Sequence, residues 1–142
     1  MKRFKNWIVV PAALAMFLAS AGMIRSQVTQ MKPGFQPDPL VVRGTSGGSQ
    51  ASNNCGMIAA TPNVVVNLSE NFNYLRFSVQ GAGQLTLLIQ SPNGSSCVQA
   101  DNFSGGKIEA PGYWEKGSYS IYVGDRAGGQ HPYTLTITQK RS

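Results

Sequence analysis

The chain has 142 residues, of which 42% are hydrophobic and 13% charged, and it carries a formal net charge of +6 at neutral pH. This length suits one domain with a modest core. Much of the positive charge lies near the two ends, since residues 44–138 contain four basic and five acidic residues. That segment also lacks basic residues interleaved with stacking aromatics, so we expect no nucleic-acid partner.

The N-terminus has the three parts of an export signal. Basic residues precede an apolar run from Trp7 to Leu18, and Ala19-Ser20-Ala21 then supplies small residues for cleavage. We therefore predict a signal peptide over residues 1–21 and a periplasmic or secreted protein. The apolar stretch continues to Ile24, which makes it just long enough for a short membrane span. An uncleaved anchor is thus the alternative, and it is the only predicted route to a membrane.

The next segment, residues 22–52, has the composition of a flexible linker. It is rich in Pro, Gly, Ser and Gln, and its apolar cluster Leu40-Val41-Val42 is too small to order it alone. We predict a linker or a loosely docked arm, in which that cluster could lie along the domain as an edge strand.

The pentapeptide Gly44-Thr45-Ser46-Gly47-Gly48 within this segment fits the G-x-S-x-G pattern of hydrolase nucleophiles. Such a serine follows a strand and opens a helix, but no helix is predicted after Ser46. We interpret the pentapeptide as a spacer. The remote alternative is a serine hydrolase that uses Ser46, His131 and either Asp101 or Asp125.

Residues 53–139 show short apolar segments separated by turn residues, which is typical of an all-β domain. Alternation is clearest where polar residues separate buried ones, and this pattern predicts inward-facing rows. The rows are Leu75, Phe77 and Val79; Leu85, Leu87 and Ile89; Tyr119, Ile121 and Val123; and Tyr133, Leu135 and Ile137. We also predict turns at 91–94 and 111–112, and a basic tail at 140–142. About seven to eight short strands of this kind predict one antiparallel β-sandwich.

Cys55 and Cys97 are the two cysteines of the chain. In an exported protein the default expectation is that they form a disulfide. A bridge closing a loop of this size is worth about 4 kcal/mol in the chain-entropy model.

Several stretches of the domain together resemble the bacterial pre-peptidase C-terminal domain. They are Cys55-Gly56, LRFSVQGAGQLTLLIQSPNGSSC at 75–97, WEKGSYSIYVGD at 114–125 and YTLTI at 133–137. The resemblance covers 53–139 and implies a jelly-roll-like sandwich in which 117–124 is a central strand. It also implies a non-catalytic binding or accessory module, since such domains usually follow secreted peptidases and related sandwiches bind collagen or polysaccharide.

This sequence departs from the family at the position where relatives often carry paired acidic residues. After the second cysteine it has Gln99-Ala100-Asp101-Asn102. Calcium needs about six or more oxygen ligands, and Asp101 with Asp125 supplies few of them. We therefore predict no cofactor, with calcium at these aspartates as a weak alternative.

Outward-facing aromatic residues are the remaining candidates for ligand binding. The strand alternation places Tyr74, Arg76 and Tyr122 on open faces, and Trp114 falls in a predicted loop. Aromatic rings beside hydrogen-bonding groups suit sugars or protein partners. We therefore expect an extracellular or periplasmic protein or polysaccharide as partner, with a carbohydrate-binding module as the second hypothesis. The structural alternative is that the tyrosines are ordinary strand residues and that Trp114 plugs one end of the sandwich.

Overall fold

A computed structural model describes residues 27–100 and 106–141, and the predicted signal peptide lies outside these ranges. The described residues form eleven strands and no α-helix. Accordingly, this part of the chain contains no helix of the length and apolarity that would cross a membrane. The strands are β1 (Gln27–Met31), β2 (Leu40–Thr45), β3 (Gln50–Ala51), β4 (Met57–Ile58), β5 (Val64–Leu68), β6 (Phe72–Gly81), β7 (Leu85–Ser91), β8 (Gly94–Gln99), β9 (Ile108–Trp114), β10 (Gly117–Asp125) and β11 (Pro132–Thr138).

The strands form two sheets that face each other as a sandwich. Sheet A has seven strands, with β10 at its centre between β5 and β7. β1 pairs with the outer side of β5, and β8 pairs with the outer side of β7. The short β4 pairs with the last residue of β10, and β3 pairs with β4. Sheet B has four strands in the order β2-β11-β6-β9. The predicted all-β sandwich is confirmed, and the central position of 117–124 agrees with the family resemblance.

The core lies between the two sheets and consists of the predicted inward rows. Phe77 and Leu135 from sheet B and Leu87 and Ile121 from sheet A are all fully buried. Because side chains alternate across a strand, the residues between them point outward on each sheet. The N-terminal strands β1 and β2 add Met31 and Val42 to the same core.

The linker prediction is wrong for residues 27–51, which form β1, β2 and β3. β1 pairs in parallel with β5, and β2 pairs antiparallel with β11 over Leu40 to Thr45. The backbone N–H of Ser46 then donates to the carbonyl of His131 at 2.8 Å, and that of Gly47 donates to Val123 at 2.9 Å. Backbone pairing thus orders a segment whose side chains contribute little to the core. The alternative prediction, that Leu40-Val41-Val42 forms an edge strand, is confirmed.

The predicted turn at Pro111-Gly112 is also wrong, because both residues lie inside β9. Pro111 pairs with Arg76 and Gly112 pairs with Leu75 of the neighbouring β6. A proline is tolerated here because β9 is an edge strand and does not need every backbone N–H for pairing.

The predicted disulfide is confirmed between Cys55 and Cys97, whose Cα atoms are 5.8 Å apart. Cys55 is fully buried in a small cluster with Ile58 and Leu88, and Tyr122 packs against it. The bridge therefore fastens the chain before β4 to β8, across the outer face of sheet A.

Candidate functional site

The outer face of sheet B is a polar surface built from alternate residues of its four strands. Thr134 of β11 lies between Arg43 of β2 and Gln80 of β6. One row further along the strand, Thr136 lies between Val41 and Ser78. Since Leu135 between the two threonines points into the core, this face carries the hydroxyl, amide and charged groups.

A shallow pocket of about 150 Å³ opens on this face. It is lined by polar and charged side chains from the two central strands and from the residue that precedes β9: Arg76, Ser78, Gln80, Lys107, Thr134 and Thr136. Two cations therefore stand among hydroxyl and amide groups that can donate or accept hydrogen bonds.

The two cations of the pocket share one carboxylate. Lys107 Nζ lies 3.3 Å from Oε2 of Glu109, and Arg76 Nε lies 3.9 Å from the same oxygen. Arg76 also donates from Nη1 to the backbone carbonyl of Arg141 at 3.1 Å. Its Nε is buried and has no hydrogen-bond partner among the described residues. A guanidinium with a spare donor thus lines the pocket.

Tyr74 lies on the same outer face as Arg76, as the alternation predicted. The guanidinium carbon of Arg141 stands 4.3 Å from the centroid of its ring, in cation–π geometry. One face of the ring is therefore covered by the C-terminal segment, which leaves less of Tyr74 for a ligand than the sequence suggested.

The structure does not bring the three aromatic candidates together. Tyr122 lies on the outer face of sheet A, where it packs against the cluster of Cys55, Ile58 and Leu88. Tyr74 and Tyr122 thus face opposite directions, on the two outer sides of the sandwich. A sugar-binding platform made jointly by them is incompatible with this geometry.

Trp114 closes one end of the sandwich. It lies in β9 instead of the predicted loop, and it is half-buried. Its ring packs edge-on against Phe77 and Tyr119, with 4.9 Å and 5.4 Å between the ring centroids. Its indole Nε1 donates to the carbonyl of Leu75 at 3.0 Å. Both the ring and its polar atom are engaged internally, which agrees with the plugging interpretation.

Ser46, Asp125 and His131 do meet in space, but without the arrangement of a catalytic triad. Ser46 is fully buried, and its Oγ accepts a hydrogen bond from the backbone N–H of His131 at 3.0 Å. A nucleophilic serine needs its Oγ beside a ring nitrogen of the base. Here the hydroxyl holds the backbone of β2 against the start of β11 instead.

Next to Ser46, the buried carboxylate of Asp125 pairs with the partly exposed imidazole of His131. Asp125 is fully buried; its Oδ1 accepts from the backbone N–H of Ala127 at 2.8 Å, and its Oδ2 lies 3.2 Å from Nδ1 of His131. Gly83 and Gly129 lie so close to the imidazole that neither position has room for a Cβ. The two glycines thus leave room for the ring beside the carboxylate, and both carboxylate oxygens are engaged.

The weak calcium alternative at Asp101 and Asp125 stays a prediction, because Asp101 lies outside the described residues. Within the described ranges, no three His, Cys, Asp or Glu side chains come close enough together to hold a metal ion.

Two tyrosines that face the core have raised pKa values. Burial raises the pKa of Tyr133, against the opposing effect of a hydrogen bond from Asn63. Burial also raises the pKa of Tyr119, and the charge of Glu115 raises it further. The Tyr119 hydroxyl donates to the carbonyl of Glu115 at 2.6 Å.

These shifts predict a loss of stability at alkaline pH. Above about pH 10 the tyrosines of the unfolded chain ionise first, because their counterparts in the folded chain hold their protons more tightly. The free energy of unfolding is therefore expected to fall as the pH rises from about 10 towards the raised pKa values of the two tyrosines in the folded protein. Urea unfolding between pH 8 and 11 should show a steeper fall for the wild type than for Tyr119→Phe/Tyr133→Phe. If the unfolding free energy of both proteins falls equally with pH, the alkaline loss of stability does not come from Tyr119 and Tyr133.

The solved structures with a similar fold include a domain of a bacterial collagenase. The pre-peptidase C-terminal domain of collagenase from Bacillus anthracis matches with a TM-score of 0.53 and 16% identity, covering 81% of this chain and 98% of that chain. PliG of Aeromonas hydrophila, a periplasmic inhibitor of g-type lysozyme, matches with a TM-score of 0.44 and 13% identity, covering 80% and 97% of the two chains. The first likeness supports the fold that the sequence resemblance implied.

Sequence comparison identifies a relative over nearly the full length. No family model matches the chain. An uncharacterized protein of Synechococcus elongatus is 37% identical over 139 residues, which span 95% of this chain and 96% of that protein. At that identity and coverage, the chain belongs to the same family as the Synechococcus elongatus protein.

Proposed function

We propose that the protein is an exported, non-catalytic binding module that holds an extracellular or periplasmic ligand on the outer face of sheet B. The observation that carries this proposal is the pocket containing Arg76, whose buried Nε has no acceptor among the described residues. A buried donor without a hydrogen bond is unfavourable, and because the Arg76 side chain is 22% exposed, a small shift of the guanidinium would let a ligand oxygen accept from it.

The outer face of sheet A differs from that of sheet B, which supports sheet B as the binding face. On sheet A, Cys55 and Ile58 cover Leu88 and part of Tyr122, and the disulfide closes over the same region. On the central strands of sheet B, Gln80 is exposed, and Thr134 and Thr136 are partly exposed. The polar groups that line the pocket on sheet B are therefore accessible to a ligand.

Export is supported by the predicted signal at residues 1–21 and by the disulfide, since structural disulfides persist in oxidising compartments. A non-catalytic role is supported by the geometry around Ser46, whose hydroxyl is committed to a backbone N–H. Both statements agree with the module type that the sequence resemblance implies.

A matched pair of charge substitutions tests the location of the binding face. Thr136 and Ser120 are half-buried, outward-facing residues on the central strands of sheets B and A. The carboxylate of Thr136→Glu would compete with a ligand for Arg76, whereas that of Ser120→Glu would lie on the opposite side of the molecule. Retention on a glycan array and capture of periplasmic proteins should fall at least about tenfold in Thr136→Glu, a change of about 1.4 kcal/mol.

Ser120→Glu is expected to retain wild-type binding within about twofold, well under 1.4 kcal/mol. Circular dichroism of both variants checks that each is folded. Loss of binding in Ser120→Glu alone, or equal loss in both folded variants, would show that sheet B is not the binding face.

A further inference from the structure

We propose that the ligand of this face is a linear anionic polysaccharide that bears carboxylate or sulfate groups, an inference that rests on the proposed function. The pocket and its surroundings present more cationic than anionic side chains. Arg76 and Lys107 both lie beside the carboxylate of Glu109. Arg43 is exposed on the opposite edge strand and makes no ion pair with any residue that the structure describes.

The cations are spaced across the face by the strand register. Arg43 pairs with Thr134, and Thr134 pairs with Gln80, which lines the pocket together with Lys107. With about 4.8 Å between neighbouring strands, Arg43 and Lys107 are roughly 14 Å apart. This separation exceeds the reach of a single small anion and suits a polymer with charges on successive sugar units.

The C-terminal segment extends the positive surface along the strands. Arg141 is placed over Tyr74, and the Nζ of Lys140 donates to the backbone carbonyl of Asp38 at 3.2 Å. The Asp38 carboxylate is itself engaged, since its Oδ1 accepts from the hydroxyl of Thr138 at 2.6 Å. The predicted basic tail thus continues the surface that begins at Arg76.

The groups between the cations favour a polysaccharide over an acidic protein or an anionic membrane. Hydroxyls of Thr134, Thr136 and Ser78 and the amide of Gln80 line the pocket, and they match the hydroxyl groups of sugars. A membrane-binding surface would need apolar side chains to enter the bilayer. The exposed large hydrophobic residues on the strands of sheet B are Val41 and Tyr113, which lie on opposite edge strands and form no continuous apolar patch.

Binding of defined polymers to the protein with its disulfide intact tests this inference. The probes are dextran sulfate, alginate, neutral dextran, polyglutamate and phosphatidylglycerol vesicles, each titrated by calorimetry. We expect dextran sulfate or alginate to bind and neutral dextran not to bind. Affinity should fall at least about tenfold between 50 mM and 500 mM salt, because ions screen the contacts.

Single-charge variants separate this face from general attraction to a basic protein. Arg43→Gln and Lys107→Gln should each weaken binding of the polyanion about fivefold, in line with one cation facing an anionic surface. Arg126→Gln and Lys116→Gln are the matched controls, since both residues are exposed outside this face, and they should stay within about twofold.

The outcomes distinguish the two proposals. Binding of only neutral glycans, lost in Thr136→Glu, would overturn the anionic ligand and leave the binding face in place. Polyanion binding that is weakened equally by Arg126→Gln and Arg43→Gln would overturn the face itself. Binding of only polyglutamate would indicate an acidic protein, and binding of only vesicles would indicate a membrane, so either would overturn the polysaccharide.

Discussion

The Cys55→Ala/Cys97→Ala double variant is expected to have a free energy of unfolding about 4 kcal/mol lower than that of the oxidised wild type. The bridge closes a loop with a sequence separation of 42, and losing it frees that loop in the unfolded chain. Small domains are stabilised by about 5–15 kcal/mol in total, so the loss is a large share. Cys55 is also fully buried against Ile58 and Leu88, and alanine fills that space less well.

Urea unfolding monitored by tryptophan fluorescence measures this difference, and the reduced and alkylated wild type provides a second reference. We expect the double variant and the reduced wild type to agree within about 1 kcal/mol and both to melt at least about 10 °C lower. A double variant as stable as the oxidised wild type would show that the bridge does not stabilise the domain.

The Asp125→Ala variant is expected to lose about 3 kcal/mol of unfolding free energy. The substitution leaves the backbone N–H of Ala127 and Nδ1 of His131 without the acceptor that the fully buried carboxylate supplies. Removing one partner from a buried polar pair costs the desolvation of the groups left behind. Asp125→Asn keeps an acceptor for the Ala127 N–H, so we expect a smaller loss of about 1–2 kcal/mol.

Glu109→Gln is the control, because its ion pairs with Lys107 and Arg76 are partly exposed to solvent. Such pairs contribute about 0–1 kcal/mol. Denaturant unfolding of the three variants at neutral pH should rank them with Asp125→Ala the least stable. If Asp125→Ala loses no more unfolding free energy than Glu109→Gln, the Asp125–His131 pair does not stabilise the fold.

The sandwich core was predictable because strand alternation records burial directly. Rows such as Leu75-Phe77-Val79 and Tyr133-Leu135-Ile137 bury one face and expose the other, and they occupy the predicted sides of their sheets. The hairpin turn at 91–94 was also predictable, since Pro92 and Asn93, both typical turn residues, connect the strands paired through Ser91 and Gly94.

The N-terminal strands were not predictable, because they are ordered mainly through their backbone. β2 is an edge strand whose buried core residue is Val42, and its pairing with β11 leaves no mark on composition. Likewise β1 pairs in parallel with β5, far from it in sequence, and carries Gln and Thr beside the buried Met31.

The candidate face was predictable only in part. Alternation placed Arg76 and the threonines of β11 outward, which the structure confirms through the lining of the pocket. Sequence reasoning missed Arg43 and Lys107, because their position depends on which strands are neighbours. The same missing information joined Tyr74 and Tyr122 into one hypothesis, although the two residues lie on opposite sheets.

The most direct measurement of the binding face is a titration of the isotopically labelled protein with dextran sulfate, followed through its backbone amide NMR signals. The largest shifts are expected at Gln80, Thr134 and Thr136, on the outer face of sheet B. Largest shifts at Leu88, Ser120 and Tyr122 instead, on the outer face of sheet A, would contradict the proposal.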